Sequence, residues 1–366
     1  MTGRKLKKNK VLVAMSGGVD SSVAAALLKE RGFDVSGCFI KNWSQTKDVF
    51  SGECSWRSER RDAMRAAAVL DIPFMTFDFE DQYRRLVVEA MIKAYKAGYT
   101  PNPDVLCNEY VKFGMFWQKA KLLGFEAMAT GHYARIKSDG RQAHLYKGLD
   151  KDKDQSYFLY RVPQEALSHV IFPIGHLQKS AVRRKAAAFG LPTAEKPDSQ
   201  GICFIGKINF QDFLKQRIKS KPGRIISDKG EVLGEHQGLH LYTIGQRQQI
   251  KVAGRHAWYA ADKDLKKNIL TVVDSDRHPW LQAKRLRLGD LHWISGQSPS
   301  LPLSVQVQVR YRQTACAARL IKGSKAGEMS LEFKQPVKAA AIGQSAVVYR
   351  GSECLGGGVI RQIDHL

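Results

Sequence analysis

The sequence has no apolar run long enough to cross a membrane. Its longest apolar stretches, VLVAM and VAAALLKERGF, fall well short of the roughly 20 residues that a spanning helix needs. The basic N-terminus, MTGRKLKKNK, has neither an apolar core nor a small-residue cleavage site, and it is too short and too poor in serine for a transit peptide. These absences predict a cytoplasmic protein with no membrane partner.

Cysteine is sparse, and no C-x-x-C pair occurs. The wide spacing disfavours both a secreted disulfide framework and a zinc site, so we expect no metal beyond one that accompanies a nucleotide. Any cysteine chemistry would therefore involve individual thiols. The cysteines are Cys38, Cys54, Cys107, Cys203, Cys316 and Cys354.

Acidic residues are few relative to basic ones. The chain has 35 Asp and Glu against 58 Lys and Arg, which gives a net charge of +23 and a pI near 9.8. A solvated basic surface is the simplest interpretation. For a chain of this length, however, the excess favours a polyanionic partner, most naturally a nucleic acid. Charge alone does not say which nucleic acid.

Hydrophobic periodicity divides the chain into three expected units. Strand-like and helix-like segments alternate through residues 1–206, which predicts an α/β domain with a parallel sheet. Glycine-punctuated, strand-rich sequence over residues 207–275 predicts a small β-rich domain. The strict alternation in SVQVQVRYRQ and the glycine-rich CLGGGVI predict a C-terminal β-barrel over residues 276–366.

The segment VLVAMSGGVDSSVAAALL places serines and glycines between a predicted strand and a predicted helix. Glycines let backbone N–H groups approach an anion, and the helix N-terminus adds a positive dipole. No lysine follows the glycines as it does in G-x-x-x-x-G-K-[ST], and the dinucleotide pattern G-x-G-x-x-G is absent. The S-G-G-x-D-S string resembles the PP-loop of ATP pyrophosphatases, which implies adenylation with release of pyrophosphate. Asp20 either helps to place Mg²⁺ or caps the helix.

Two cysteines lie in unusually rigid, polar surroundings. Cys107 is part of TPNPDVLCNEYVKF, which we interpret as a short loop before a helix, because its prolines, asparagines and aspartate favour turns. Cys203 is part of KPDSQGICFIG, again beside Pro, Asp and Gly. A lone cysteine usually fills space in a core, and each of the two fits that role when taken singly. The sequence does not bring them together, since they are far apart in the chain.

The order of the motifs is more specific than any one of them. A PP-loop followed by TPNPDVLCN, ATGHYA, KDQSYFLY, DSQGICFIG, GEHQGLHLYTIGQR, RYRQ and GQSAVVYRGSECLGGGVI resembles the tRNA-specific 2-thiouridylases over nearly the whole chain. The resemblance implies ATP-dependent adenylation of the C2 oxygen of the wobble uridine, then sulfur transfer from a cysteine persulfide. It implies ATP and Mg²⁺ as cofactors, and as partners a tRNA and a persulfide relay protein or cysteine desulfurase. Nothing in the sequence requires a dimer, and we expect a monomer.

The resemblance also implies roles for individual residues. Cys203 would carry the persulfide, Cys107 would be the nucleophile that completes the transfer, and a disulfide between them is implied at the end of the cycle. Asp104 would move protons, and the target base would contact Asn102, Pro103 and Asp104. The implied ATP contacts are Ala14, Met15, Ser16, Gly17, Gly18, Val19, Asp20, Ser21, Ile40 and Gly131. The implied tRNA contacts are His132, Lys153, Asp154, Gln155, Arg310, Tyr311, Arg312 and Gln344.

The chain departs from the family pattern at a few positions. After Cys107 the family usually reads N-[KR]-E-[IV]-K-F, whereas this chain reads NEYVKF. A basic residue is thus lost beside the predicted active segment, which argues against an RNA contact at Glu109. Ile342 stands where the family usually has proline, and Ile40 stands where it usually has methionine. None of these positions belongs to the implied catalytic set.

Two other functions stay open on the sequence alone. A PP-loop synthetase that adenylates a small-molecule carbonyl would share SGGVDS, but it would need neither two cysteines in rigid surroundings nor a charge of +23. A non-catalytic RNA-binding protein would explain the charge but not the intact loop and both cysteines. A sulfurtransferase with an iron–sulfur cluster is a weaker variant, because the spacing offers no third cysteine ligand.

Overall fold

The computed structural model describes residues 9–44, 54–198, 210–250, 252 and 257–366. The first unit is built on the strands β1 (Lys10–Ala14), β2 (Asp34–Lys41), β3 (Phe74–Asp78), β4 (Ala127–Thr130) and β7 (Val170–Ile171). They form one parallel sheet in the order β3-β2-β1-β4-β7. A hairpin of β5 (Ala134–Ser138) and β6 (Ala143–Lys147) projects from it.

Helices connect these strands. They are α1 (Val19–Glu30), α2 (Ser55–Val69), α3 (Glu80–Tyr83), α4 (Ala90–Lys96), α5 (Pro103–Leu106), α6 (Phe116–Leu122), α7 (Ser156–Leu159), α8 (Gln164–Leu167) and α9 (Lys179–Ala188). Two π-helical segments, Arg84–Glu89 and Cys107–Met115, join α3 to α4 and α5 to α6. Within the described ranges, no helix is both long enough and apolar enough to span a membrane.

The sequence explains the centre of this unit. Val11, Leu12 and Val13 of β1 are all fully buried, as expected for a strand of a parallel sheet that is covered on both faces. α1 follows with a run of valine, alanine and leucine that is buried along most of its length. The helix packs against β1, β2 and β4, and this packing fixes the position of its N-terminus at the edge of the sheet.

Two β units complete the chain. After α10 (Phe210–Lys215), the strands β8 (Gly223–Ser227), β9 (Val232–His236), β10 (Tyr259–Asp264) and β11 (Ile269–Val273) form a sheet in the order β10-β11-β8-β9. The last unit contains β12 (Gln282–Trp293), β13 (Leu303–Gln308), β14 (Cys316–Lys322), β15 (Met329–Lys338), β16 (Ser345–Arg350) and β17 (Glu353–His365). Pairing of β12 with β17 closes these six antiparallel strands into a barrel. Short 3₁₀ turns occur at Leu239–Leu241 and Pro279–Leu281.

Specific contacts join the three units. Leu145 and Tyr146 of β6 pair with β17, so the hairpin of the first unit extends the sheet of the barrel. Lys263 of β10 donates hydrogen bonds to the carbonyl oxygens of Gly98, at 2.6 Å, and Tyr242, at 3.1 Å. The middle unit is therefore anchored to the end of α4, a few residues before the segment that contains Asp104 and Cys107.

The predicted fold class is confirmed: a parallel-sheet unit is followed by a small β-rich unit and a closed barrel. The limits proposed for the three domains stay a prediction. Our interpretation of Cys107 as a loop residue is wrong, because α5 begins at Pro103 and runs directly into the π-helical segment that starts at Cys107. The residues that suggested a turn start a helix instead: Asn102 is its N-cap and Pro103 lies in its first turn.

Candidate active site

The PP-loop lies where the order of the sheet reverses. From β1 the chain proceeds to β2 and β3 on one side and returns later to β4 on the other. The loop after β1 and Gly131 after β4 therefore share the carboxyl edge of adjacent strands. In open α/β sheets, ligands bind in the crevice at this reversal. Ile40, at the same edge of β2, is partly exposed and available to an apolar part of a ligand.

Two glycines are required by the geometry of this edge. Gly17 has a φ of +79°, and a Cβ added there would lie 2.2 Å from the carbonyl oxygen of Glu59 in α2. A Cβ on Gly131 would lie 2.5 Å from the backbone nitrogen of Ser21. Both distances are far below any real contact, so these positions accept only glycine while α1, α2 and β4 keep their places.

The loop offers donors suited to phosphate. The backbone N–H of Ser16 donates to Ser21 Oγ at 3.1 Å, and Ser21 Oγ in turn donates to the Gly18 carbonyl at 3.2 Å. The hydroxyls of Ser16 and Ser21 lie beside the glycines, and so do the N-terminal N–H groups of α1, a helix of 12 residues. Of the other predicted ATP contacts, Met15 and Val19 are buried in the core, so only their backbone atoms can face a ligand.

Basic side chains surround the loop and hold Asp20. Lys179 Nζ contacts both carboxylate oxygens of Asp20, at 2.7 and 2.8 Å, and the Tyr133 hydroxyl donates to the same carboxylate at 2.8 Å. Burial and the Asp20 carboxylate raise the pKa of Tyr133, which keeps its hydroxyl protonated as a donor. Lys196 Nζ reaches the Gly17 carbonyl at 3.0 Å. The loop thus has two ammonium groups beside it, as expected for a site that holds a polyphosphate.

The segment around Cys107 is fixed from two directions. Gln344 of the barrel donates to the carbonyl oxygens of Thr100, at 2.8 Å, and Pro101, at 3.2 Å. Asn108 donates to the carbonyl of Phe158 in α7 at 3.1 Å. The Cys107 residue itself is 1% exposed. π-Helical segments are rare and occur often at functional sites, so this one marks the Cys107 segment as more than a connector.

The edge of the sheet that carries the PP-loop adjoins the Cys107–Met115 segment. His132, the residue after Gly131, packs its ring against Phe113 of the Cys107–Met115 segment, with the ring centroids 5.6 Å apart. The motifs TPNPDVLCN, ATGHYA, SYFLY and GQSAV, which are scattered through the sequence, thus meet at one place. The described residues include no group of three His, Cys, Asp or Glu side chains that could hold a metal ion.

Comparison with known proteins decides the family. The model for the tRNA methyl transferase HUP domain matches residues 9–207, that for the tRNA methyl transferase PRC-barrel domain matches 211–274, and that for the aminomethyltransferase beta-barrel domain matches 283–360. A tRNA-specific 2-thiouridylase MnmA of Nitrosomonas europaea is 46% identical over 362 residues, which covers 97% of this chain and 99% of that protein. The chain belongs to the tRNA-specific 2-thiouridylase family.

A second curated relative agrees with this assignment. The 2-thiouridylase MnmA of Nitrosomonas eutropha is 45% identical over 360 residues, covering 97% of this chain and 99% of that protein. Among solved structures, a 4-thiouridine synthetase in complex with RNA and bound ATP aligns with 57% of this chain and 50% of its own, at a TM-score of 0.37 and 16% identity. That last likeness is distant and adds nothing to the assignment.

Most residues that the 2-thiouridylase resemblance implies as tRNA contacts make contacts within the chain. Lys153 Nζ pairs with Asp198 at 2.7 Å. Asp154 accepts hydrogen bonds from the backbone of Gly148 and Ser156, and Gln155 accepts one from the backbone of Tyr133. These contacts shape the turn that leads into α7. Binding of RNA there stays a prediction.

The remaining implied contacts lie around the Cys107 segment. His132 is buried, and its Nδ1 lies 2.6 Å from Thr130 Oγ1. Burial, assisted by the charge of Lys112, lowers the pKa of His132 well below its usual value, so the ring is neutral. Arg310 donates to the Ile244 carbonyl, and the ring of Tyr311 lies 4.4 Å from that of Phe158. Arg312 is exposed.

Cys203 lies outside the described residues, so the structure gives no distance between Cys203 and Cys107. The described chain before it ends at Asp198, which binds Lys153, Lys179 and Arg183 at 2.7 to 2.9 Å. Although burial opposes ionisation, hydrogen bonds from Lys153 and Lys179 lower the pKa of Asp198 to about 2. Lys179 and Asp198 are not among the predicted site residues; the basic helix KSAVRRK followed by KPDSQ is the signal for them in the sequence.

Proposed function

We propose that this protein converts C2 of the wobble uridine of tRNA to a thiocarbonyl, with ATP as the activating substrate. Membership of the 2-thiouridylase family supports the reaction class. The observation that carries the proposal is the junction of the PP-loop edge with the Cys107 segment through His132 and Phe113. An adenylating site and a thiol beside it are the two parts that this reaction needs.

The first step activates the uridine. Its C2 oxygen attacks the α-phosphorus of ATP, a bond to pyrophosphate breaks, and an adenylated uridine forms. The glycines and serines of the loop, with the N-terminus of α1, hold the departing pyrophosphate. Mg²⁺ would neutralise its charge, and Asp20 would help to hold the ion, in exchange for its present contact with Lys179.

The second step transfers sulfur. The terminal sulfur of the Cys203 persulfide attacks C2, and the C2 oxygen leaves with AMP. Cys107 then attacks the Cys203 sulfur, the S–S bond to the uridine breaks, and its electron pair stays on the sulfur of the new thiocarbonyl. The remaining Cys107–Cys203 disulfide needs a thiol reductant, and a persulfide relay protein or cysteine desulfurase would reload Cys203.

The target uridine must leave its stack to reach these groups. Asn102 and Pro103 present the first turn of α5 to the extruded base, and Asp104 in that turn moves the proton of the attacking thiol. Gln344 holds this turn by binding the carbonyls of Thr100 and Pro101. We therefore assign Gln344 a positioning role for the base-binding turn.

We also propose that the enzyme works as a monomer.

We propose that a lysine-rich cleft binds the RNA backbone. The cleft holds about 370 Å³ between the end of α4 and the middle unit. Lys96, Lys219 and Lys221 line it, no acidic residue does, and none of the three forms an ion pair with a described residue. Phosphate contacts of this kind supply affinity and register, but they do not act on the reacting atoms.

The cleft predicts a defined effect of charge removal. In Lys219→Gln/Lys221→Gln, tRNA affinity is expected to fall, and the slope of log K against log salt to become shallower by about 1.8, since each phosphate contact contributes about 0.9. The rate at saturating tRNA should not change. Filter binding at several salt concentrations measures the slope. Lys325→Gln/Lys334→Gln, on exposed barrel lysines outside the cleft, is the matched control, and an equal effect of both pairs would contradict the assignment.

The function itself is tested by product analysis. Purified protein is incubated with unmodified tRNA, ATP, Mg²⁺, a thiol reductant, and a cysteine desulfurase with L-cysteine as the persulfide source, and the digested RNA is examined by mass spectrometry for 2-thiouridine. Omission of ATP is expected to abolish the product, and Cys203→Ser to reduce it strongly. AMP formation without any thionucleoside would point to a small-molecule synthetase. RNA binding with neither AMP nor thionucleoside would leave a non-catalytic RNA-binding protein.

A further inference from the structure

Glu109 and Arg161 form a two-pronged ion pair beside the Cys107 residue. Glu109 is two residues after Cys107 in the π-helical segment, and Arg161 lies just after α7. Arg161 Nε donates to Glu109 Oε2 at 2.6 Å, and Nη2 donates to Oε1 at 3.0 Å. The side chains are only 14% and 17% exposed, so water screens the pair weakly.

Arg161 also reaches the barrel. Its Nη1 donates to the carbonyl oxygen of Asp290 in β12 at 2.9 Å. Asp290 has a φ of 47°, and its carboxylate is bound by Arg361 of β17. One guanidinium therefore connects the Cys107 segment with a barrel strand whose backbone is itself held in place. A planar guanidinium with two parallel bonds fixes direction as well as distance.

Tyrosine and histidine side chains around this pair are neutral at pH 7. Tyr110 and Tyr160 both interact with Arg161 and Glu109, and burial raises the pKa of each hydroxyl. His292 of β12 has its pKa lowered by burial and by the charge of Arg161. The pairing with Arg161 gives Glu109 a structural role at a position where the family usually has a basic residue. The chain uses its acidic replacement internally, with an arginine 52 positions later as the partner.

We propose that Glu109 and Arg161 are a positioning pair, which holds the π-helical segment against the barrel so that Cys107 keeps the orientation required for sulfur transfer. The kinetic part of this inference rests on the proposed function. The geometric part does not, because it states only that the pair keeps the Cys107 thiol buried and fixed. Its test therefore needs one readout that is independent of turnover.

That readout is the alkylation of individual thiols. Wild type, Arg161→Gln and Glu109→Gln are reduced, treated with iodoacetamide and digested, and the modified cysteines are followed by mass spectrometry. Alkylation of Cys107 is expected to accelerate by about tenfold or more in both variants, an opening on the scale of one lost charge-assisted contact. Cys38 and Cys354, which are equally buried, report global opening and should react at the wild-type rate.

The kinetic consequence separates positioning from general stability. In Arg161→Gln, single-turnover thiolation should slow by about 10² while the apparent KM for ATP changes little, since misplacement of a reacting group by about 1 Å has that cost. The charge swap Glu109→Arg/Arg161→Glu should recover part of both effects. Arg285→Gln, which breaks an exposed barrel ion pair with Glu332, is the control and should resemble wild type.

Two results would overturn the inference. One is wild-type alkylation of Cys107 in a folded Arg161→Gln protein. The other is a parallel rise for Cys38, Cys354 and Cys107, which would reduce the pair to an ordinary stabilising contact. If the alkylation pattern appears as expected but no thiolation is seen even in wild type, the positioning role stands and the proposed function fails.

Discussion

In a Cys107→Ser variant, formation of 2-thiouridine is expected to fall by at least about 10³-fold, as it does when a catalytic nucleophile is lost. A serine hydroxyl does not attack a disulfide sulfur, so the transferred sulfur would stay bound to Cys203. The variant should therefore accumulate tRNA joined covalently to the enzyme, and a small-molecule thiol should release that tRNA as thiolated product. Denaturing gels run with and without reductant measure the adduct.

The control for this variant is Cys316→Ser. Cys316 is a half-buried cysteine on β14 of the barrel, away from the motifs that meet at Cys107. The Cys316→Ser variant should thiolate tRNA at the wild-type rate and form no covalent adduct with it. Wild-type product formation by Cys107→Ser would remove Cys107 from the chemistry and leave it as a buried structural thiol.

Gly17→Ala is expected to abolish the ATP-dependent step. The new Cβ would lie 2.2 Å from the Glu59 carbonyl oxygen, and the residue would have to keep a φ of +79°. The left-handed conformation alone costs an alanine about 1 to 2 kcal/mol, and the clash requires the loop or α2 to move in addition. Release of pyrophosphate in the presence of tRNA, with thermal unfolding as a check on folding, measures the result.

Gly32→Ala separates the backbone strain of a positive φ from the steric clash of an added Cβ. Gly32 follows the opposite end of α1 with a φ of +85°, and nothing lies within 4 Å of an added Cβ. The variant should lose about 1 kcal/mol of stability through strain alone and keep its activity. If Gly17→Ala bound ATP and released pyrophosphate as well as Gly32→Ala, the loop after β1 would not be the phosphate site.

Some of the fold could be predicted from the sequence because its signals are local. An apolar strand, the S-G-G-x-D-S turn and an apolar helix occupy consecutive residues, and they produce β1, the loop and α1 as expected. The β-barrel follows in the same way from two-residue alternation in its strands. The start of α5 could not be predicted, because proline and asparagine favour both a turn and the first turn of a helix.

The partners of polar side chains could not be predicted, because they come from distant parts of the chain. Gln344 binds the carbonyl of Thr100, 244 positions away, and Lys179 binds Asp20, 159 positions away. A motif identifies such residues as important without saying what they bind. For Gln344, the structure reveals an internal contact where the resemblance had implied only tRNA.

The most direct test of the central claim follows one oxygen atom. An anticodon stem-loop RNA with ¹⁸O at C2 of the wobble uridine is incubated with the persulfide-loaded protein, ATP and Mg²⁺, and the AMP formed is analysed by mass spectrometry. Adenylation of the C2 oxygen predicts one ¹⁸O in the phosphate of AMP for each 2-thiouridine formed. AMP without ¹⁸O, in a reaction that still yields 2-thiouridine, would contradict the account, because ATP would then activate something other than the uridine.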